Sequence, residues 1–151
     1  MPVPVVRTAG RVLLLDGEGR VLLFRGHDPA QPDAGSWWFT VGGGAEDGEN
    51  PRAAAARELQ EETGLAVPAE ALGERVHREL AEFSLAGTDY RQDNHFFATR
   101  VAAHDVVTVG FTDLEEQFVL EHRWWTREDL RTTADTVYPP SLVQVLDRLD
   151  G

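Results

Sequence analysis

Three glutamates stand close together in this chain: Glu58, Glu61 and Glu62. On a helix, that i, i+3, i+4 spacing places all three carboxylates on one face. Such a face is costly. Like charges four residues apart destabilise a helix by roughly 0.2–0.5 kcal/mol per pair, and the negative end of the helix dipole adds to the cost. A divalent cation reverses both penalties. Carboxylate oxygens are hard ligands that suit Mg²⁺ or Mn²⁺, ions that keep part of their water and share their ligands with substrate phosphates. The plainer reading of three glutamates alone is a solvated acidic helix face.

The surrounding residues decide between the two. From Gly43 to Leu65 the chain has the form G-x5-E-x7-R-E-U-x-E-E-x-G-U, where U is apolar, with Gly43, Glu49, Arg57, Glu58, Glu61, Glu62 and Gly64 at the fixed positions. Chance would assemble those identities about once in a million chains of this length. The segment resembles the Nudix box, the signature of the Nudix hydrolase superfamily of MutT-like enzymes. The resemblance implies a mixed β-sheet sandwiched between helices, an α/β (α+β) architecture. It also implies divalent-metal-dependent cleavage of a diphosphate bond in a nucleoside diphosphate-linked compound.

By the same resemblance, Glu58, Glu61 and Glu62 are the metal-binding glutamates, and the carbonyl of Gly42 is a further ligand. Glu49 is a structural or outer acid on the loop that folds back onto the helix. Arg57, four residues from Glu61, either orients that carboxylate or makes an ordinary surface ion pair. The general base is a box glutamate, Glu61 or Glu62, or an acid on a later loop. Glu115 and Glu116 stand where many relatives keep one, and Glu116 is preferred because position decides a base before pKa does. Val41 stands where the family often has proline.

Other elements must hold this segment in place. Residues 7–15 and 20–25 are apolar and flank the turn Asp16-Gly17-Glu18-Gly19, the pattern of a β-hairpin. Residues 26–36 read as a loop. Trp37 to Val41 reads as a strand running into Gly42-Gly43-Gly44, where adjacent glycines mean unusual backbone angles or close approach. Asn50 is an N-cap, Pro51 suits the first helical position and Gly64 suits the C-cap, so a helix is expected over about 51–63. Alternation predicts strands at 74–85 and 93–101, and another is read at 117–125. A short helix near 127–132 follows the cap Thr126. A final amphipathic helix is expected from Tyr138-Pro139-Pro140 onward. No repeat or linker interrupts the pattern, so residues 1–151 read as one domain.

Composition excludes several chemistries. All 14 basic residues are arginine, so a phosphate loop ending in Gly-Lys and a lysine Schiff base are impossible. The absence of cysteine removes disulfides, thiol nucleophiles and cysteine-bound zinc. Neither G-x-S-x-G nor H-E-x-x-H occurs. A net charge of −12 disfavours nucleic acid and anionic membrane as partners. The expected partner is a small nucleotide substrate, with a homodimer as the default assembly and a reduced cytoplasm as the fitting compartment. For substrate contacts, Trp38 and Phe97 are chosen among rings that include Trp37, Phe39, Phe96, Trp124 and Trp125, and Arg25 is the candidate for a phosphate. The competing reading is a NUDIX-type domain that binds a nucleotide ligand without cutting it.

Overall fold

A computed structural model describes residues 3–102, 104, 106 and 118–150. The strands are β1 (Val5–Leu15), β2 (Val21–His27), β3 (Ser36–Gly44), β4 (His77–Leu85), β5 (Thr88–Arg100), β6 (Val119–Trp125) and β7 (Val137–Tyr138). The helices are α1 (Pro51–Thr63), α2 (Arg127–Thr132) and α3 (Leu142–Asp150). The strands form one mixed sheet in which β1 is central. It runs parallel to β5 along its whole length and antiparallel to β3 at Ala9–Val12.

Side chains alternate across a sheet, and the apolar strands split their residues between two cores accordingly. Val12, Leu14, Leu22 and Phe24 point to the side where Ala55 and Leu59 of α1 pack. Leu13, Leu15, Val21 and Leu23 point to the other side and meet Trp38, Trp125 and the Leu142, Val145 and Leu146 stripe of α3. The sheet is therefore sandwiched between helices, as the box implies.

Helix α1 occupies the expected residues. Asn50 Oδ1 accepts from the N–H of Ala53 at 2.8 Å, and Gly64 closes the helix in the left-handed conformation. Helix α2 likewise runs over Arg127–Thr132, capped reciprocally by Thr126 and Asp129.

Three expectations need correction. The turn at residues 16–19 is present, with Asp16 accepting from the N–H groups of Glu18 and Arg20 at 3.0 and 2.8 Å. The hairpin it closes is far shorter than expected: β1 and β2 pair antiparallel only at Leu15 and Val21. Strands β5 and β3 already take the edges of β1, so β2 diverges to pair with β3 and β6. Strand β5 begins at Thr88 rather than 93, because polar residues 88–92 pair with β4 across a tight turn. The final helix starts at Leu142, not at Tyr138. Val137 and Tyr138 instead lie parallel to Trp38 and Phe39 of β3, and two prolines follow that lack helical N–H groups.

Candidate active site

Helix α1 lies against β1 and β3 because the strands are bare where it crosses them. A Cβ on Gly10 would stand 2.1 Å from the carbonyl oxygen of Pro51, and a Cβ on Gly43 would stand 2.6 Å from Glu58 Oε1. Gly42 has a φ of +142°. The glycine run thus provides both features expected of it, a special backbone angle and a close approach. Val41, in the position where the family often has proline, continues β3 and is fully buried opposite Val12.

That contact brings the glutamates onto the strand. Glu58 and Glu62 are buried, at 9% and 4% exposure, whereas the Glu61 side chain keeps 36%. Burying a carboxylate is expensive unless it is paired. Glu62 Oε2 accepts from the N–H of Gly42 at 3.0 Å. Gly42 is therefore tied to the box through its N–H. Arg57 Nη1 donates to Glu58 Oε1 at 3.1 Å and to Glu61 Oε2 at 3.2 Å. The same guanidinium holds both oxygens of Glu49 at 2.9 and 3.0 Å and the carbonyl of Gly44 at 3.0 Å. Of the two roles weighed for Arg57, the geometry is that of a hub rather than a surface pair. Hydrogen bonding to Glu49 holds the Arg57 pKa above its usual value despite burial, with Glu58 and Glu61 adding to the effect. Reciprocally, the hydrogen bond from Arg57 holds Glu49 below the usual carboxylate range.

The expected substrate contacts lie elsewhere. Trp38 is 4% exposed, packs edge-on against Trp125 at 5.0 Å and donates Nε1–H to Asp135 at 3.2 Å, so it is a core residue. Phe97 is buried in the cluster beneath α1. Trp38 offers no face for stacking, while Phe97 shows only its rim, at the wall of a pocket it shares with Arg75 and His95. Arg25 is bound to Glu121 through Nη2 at 2.6 Å and to Ser36 Oγ at 3.2 Å. His95 sits between Asp93 and Arg75, at 3.1 Å from each. Glu115 and Glu116 lie outside the described residues.

What the structure offers instead is a cleft of about 440 Å³. Arg7, Arg11, Gln92 and Asn94 line it together with Trp37 and Phe39. The four polar residues project from β1 and β5, which run side by side with Arg7 opposite Gln92 and Ala9 opposite Asn94. Arg11 lies opposite Gly42 in the β1–β3 register, and the Gly42 N–H is bound to Glu62, so the cleft floor meets the box at Gly42; burial lowers the Arg11 pKa, with Glu62 opposing that shift. Sequence reading passed over these residues. Their signal was present: arginines at positions 7 and 11 of an otherwise apolar strand, and Gln92 and Asn94 one alternation apart.

The NUDIX domain profile matches residues 5–146. This chain belongs to the NUDIX family. Curated proteins align with part of it. One is an octanoyltransferase of Myxococcus xanthus, 42% identical over 90 residues, covering 52% of this chain and 24% of that protein. Another is an RNA pyrophosphohydrolase of Dinoroseobacter shibae, 50% identical over 56 residues, covering 37% of this chain and 32% of that protein. The chain thus spans about a quarter to a third of the length of these relatives. Among solved structures, it resembles the MutT protein of Methanosarcina mazei Go1 with a TM-score of 0.69, 21% identity and coverage of 99% and 96% of the two chains. The Escherichia coli dihydroneopterin triphosphate pyrophosphohydrolase gives 0.63, 23% identity and coverage of 97% and 99%. The NUDIX domain of Shewanella oneidensis NrtR, solved with ADP ribose, gives 0.65, 14% identity and coverage of 100% and 91%. At such identities the likeness is one of fold.

For a NUDIX domain the question is whether these residues suit a divalent metal. Among the described residues, no three acidic or histidine side chains already surround one point. The donor set nevertheless fits. All its atoms are hard oxygens, and Glu58 and Glu61 already converge on one cationic nitrogen. Gly43 leaves room for the Glu58 carboxylate against the strand.

Proposed function

We propose that this NUDIX domain is a divalent-metal-dependent hydrolase. Its substrate would be a nucleoside diphosphate-linked compound: a nucleoside triphosphate, an ADP-ribose-like molecule, a dinucleoside polyphosphate or a nucleotide sugar. The observation that carries the reading is the arrangement of the box glutamates, two converging on a single cationic group and the third held by the N–H of Gly42. Names among the relatives and neighbours support the class, including RNA pyrophosphohydrolase, dihydroneopterin triphosphate pyrophosphohydrolase and Ap4A hydrolase. A net charge of −12 weighs against RNA itself as the substrate.

Glu58, Glu61 and Glu62 would hold Mg²⁺ or Mn²⁺, with the Gly42 carbonyl as a further ligand. An ion held there would neutralise phosphate oxygens and lower the pKa of water. The chain's own residues supply position. Gly42 fixes Glu62, and Arg57 fixes Glu49, Glu58 and Glu61 relative to one another. Water attacks one phosphorus in line, its oxygen forms the new P–O bond, and the bridging P–O bond breaks. Glu116 takes the proton from that water. The products are two phosphorylated fragments, for example a nucleoside monophosphate and pyrophosphate.

Mn²⁺ titration followed by electron paramagnetic resonance tests the site apart from turnover. The wild type should bind Mn²⁺, and Glu61→Gln should weaken binding about tenfold or more. Unchanged Mn²⁺ affinity in Glu61→Gln and Glu58→Gln would remove the assigned metal site.

A further inference from the structure

We infer that the floor of the cleft is a surface of hydrogen-bond donors that selects a substrate edge made only of acceptors. The chemistry fits the keto edge of a base or the non-bridging oxygens of a phosphate. This rests on the nucleotide-hydrolase reading above and narrows its substrate.

Arginine can only donate. Arg7 Nε donates to Gln92 Oε1, so the amide of Gln92 must turn its NH₂ the other way. That NH₂ donates to Asn94 Oδ1 at 2.7 Å. Arg11 Nε donates to the same oxygen at 3.3 Å. Both lone pairs of Asn94 Oδ1 are then used, and Asn94 can present only its NH₂. Arg11 commits Nη1 to the carbonyl of Thr40 at 3.0 Å, and the Arg7 guanidinium lies over the Tyr90 ring at 4.7 Å. The orientation of both amides therefore follows from the two arginines.

These are built-in groups. Gln92 is 1% exposed and Asn94 7%. Two glutamates of β4 also line the cleft, but they belong to its wall rather than to the β1–β5 floor. Glu79 is bound by His77 and Ser141, and Glu82 by Arg91. A ligand that brings an amino group to this floor, as adenine and cytosine do, would set an N–H against the donors of Arg7, Arg11 and Asn94. Guanine O6 and N7, uracil O4 and phosphate oxygens meet donors instead. Trp37 and Phe39 in the same cleft supply faces for stacking.

The test compares GTP with ATP and UTP with CTP, in the wild type, Asn94→Asp and Arg7→Gln, with melting temperatures to confirm folding. Asn94→Asp keeps the size, turns the donor into an acceptor and gains Arg11 as an ion partner. If the floor reads a base, the wild type prefers GTP and UTP by about tenfold in kcat/KM, and Asn94→Asp loses that preference. If the floor reads phosphate, all four nucleotides are alike in the wild type. Both variants then raise KM about tenfold for every one, and inorganic pyrophosphate competes with substrate in the wild type alone. Folded variants whose KM values stay within about twofold of wild type for all four nucleotides would overturn the inference. Should the wild type turn over none of them, the hydrolase reading fails separately. Nucleotide binding followed by tryptophan fluorescence then decides, with the same preferences expected and an absence of binding overturning the floor.

Discussion

Glu61 and Glu62 are neighbours in the chain but occupy different surroundings. Glu62 is sealed against β3 by the Gly42 N–H, while Glu61 keeps more than a third of its side chain open and is steadied by Arg57. Glu61→Gln should therefore lower kcat by about 100-fold or more at an unchanged melting temperature, read by steady-state kinetics beside calorimetry. Arg57→Gln should lower both, because it releases Glu49, Glu58 and Glu61 together; about 1–2 kcal/mol of stability is expected to go with it. The box residues were legible in sequence because all of them sit on one short continuous segment, where helical spacing alone decides who faces whom. Trp38, Phe97 and Arg25 were not legible in that way. Their partners, Asp135 and Trp125, the α1 cluster, and Glu121, are set by strand register across the whole fold.

At the scale of elements, glycine decides how closely α1 approaches the sheet. A Cβ on Gly10 meets backbone, which cannot yield, so Gly10→Ala should destabilise the protein by about 3 kcal/mol in denaturant unfolding. A Cβ on Gly43 meets the end of the Glu58 side chain, which can move, so Gly43→Ala should fold and lose activity instead. The turn between β1 and β2 gives a pH prediction. Burial works to raise the Asp16 pKa, but hydrogen bonds from the Arg20 N–H, the Arg20 guanidinium and the Glu18 N–H outweigh it, and the net shift is downward. A depressed carboxylate pKa contributes stability above the unfolded value, and that contribution is lost as pH falls through the folded one. Asp16→Asn should therefore cost about 1–3 kcal/mol at pH 7. The gap to wild type should close below the ordinary carboxylate range, as melting curves across pH would show. Capped helices such as α1 and α2 could be read to the residue because their signals are local. The β1–β2 pairing could not, because whether adjacent strands stay paired depends on which distant strands claim their edges.

At the scale of the molecule, the sheet carries one core on each face, and the polar cleft floor interrupts the alternation where β1 meets β5. Among the described residues, no helix is long and apolar enough to cross a membrane. Arg7 and Arg11 drew no attention in the sequence; only the parallel register with β5 brings them together with Gln92 and Asn94. The account as a whole rests on cleavage of a diphosphate bond at the box. The most direct measurement is phosphate release across a panel of nucleoside triphosphates, ADP-ribose, dinucleoside polyphosphates and nucleotide sugars, coupled to a phosphatase, with Mg²⁺ or Mn²⁺ and with chelator. The account predicts release from at least one of these classes, abolished by chelator and by Glu61→Gln. Tight binding of a panel member with no release under any metal would contradict it and make this NUDIX domain a ligand sensor.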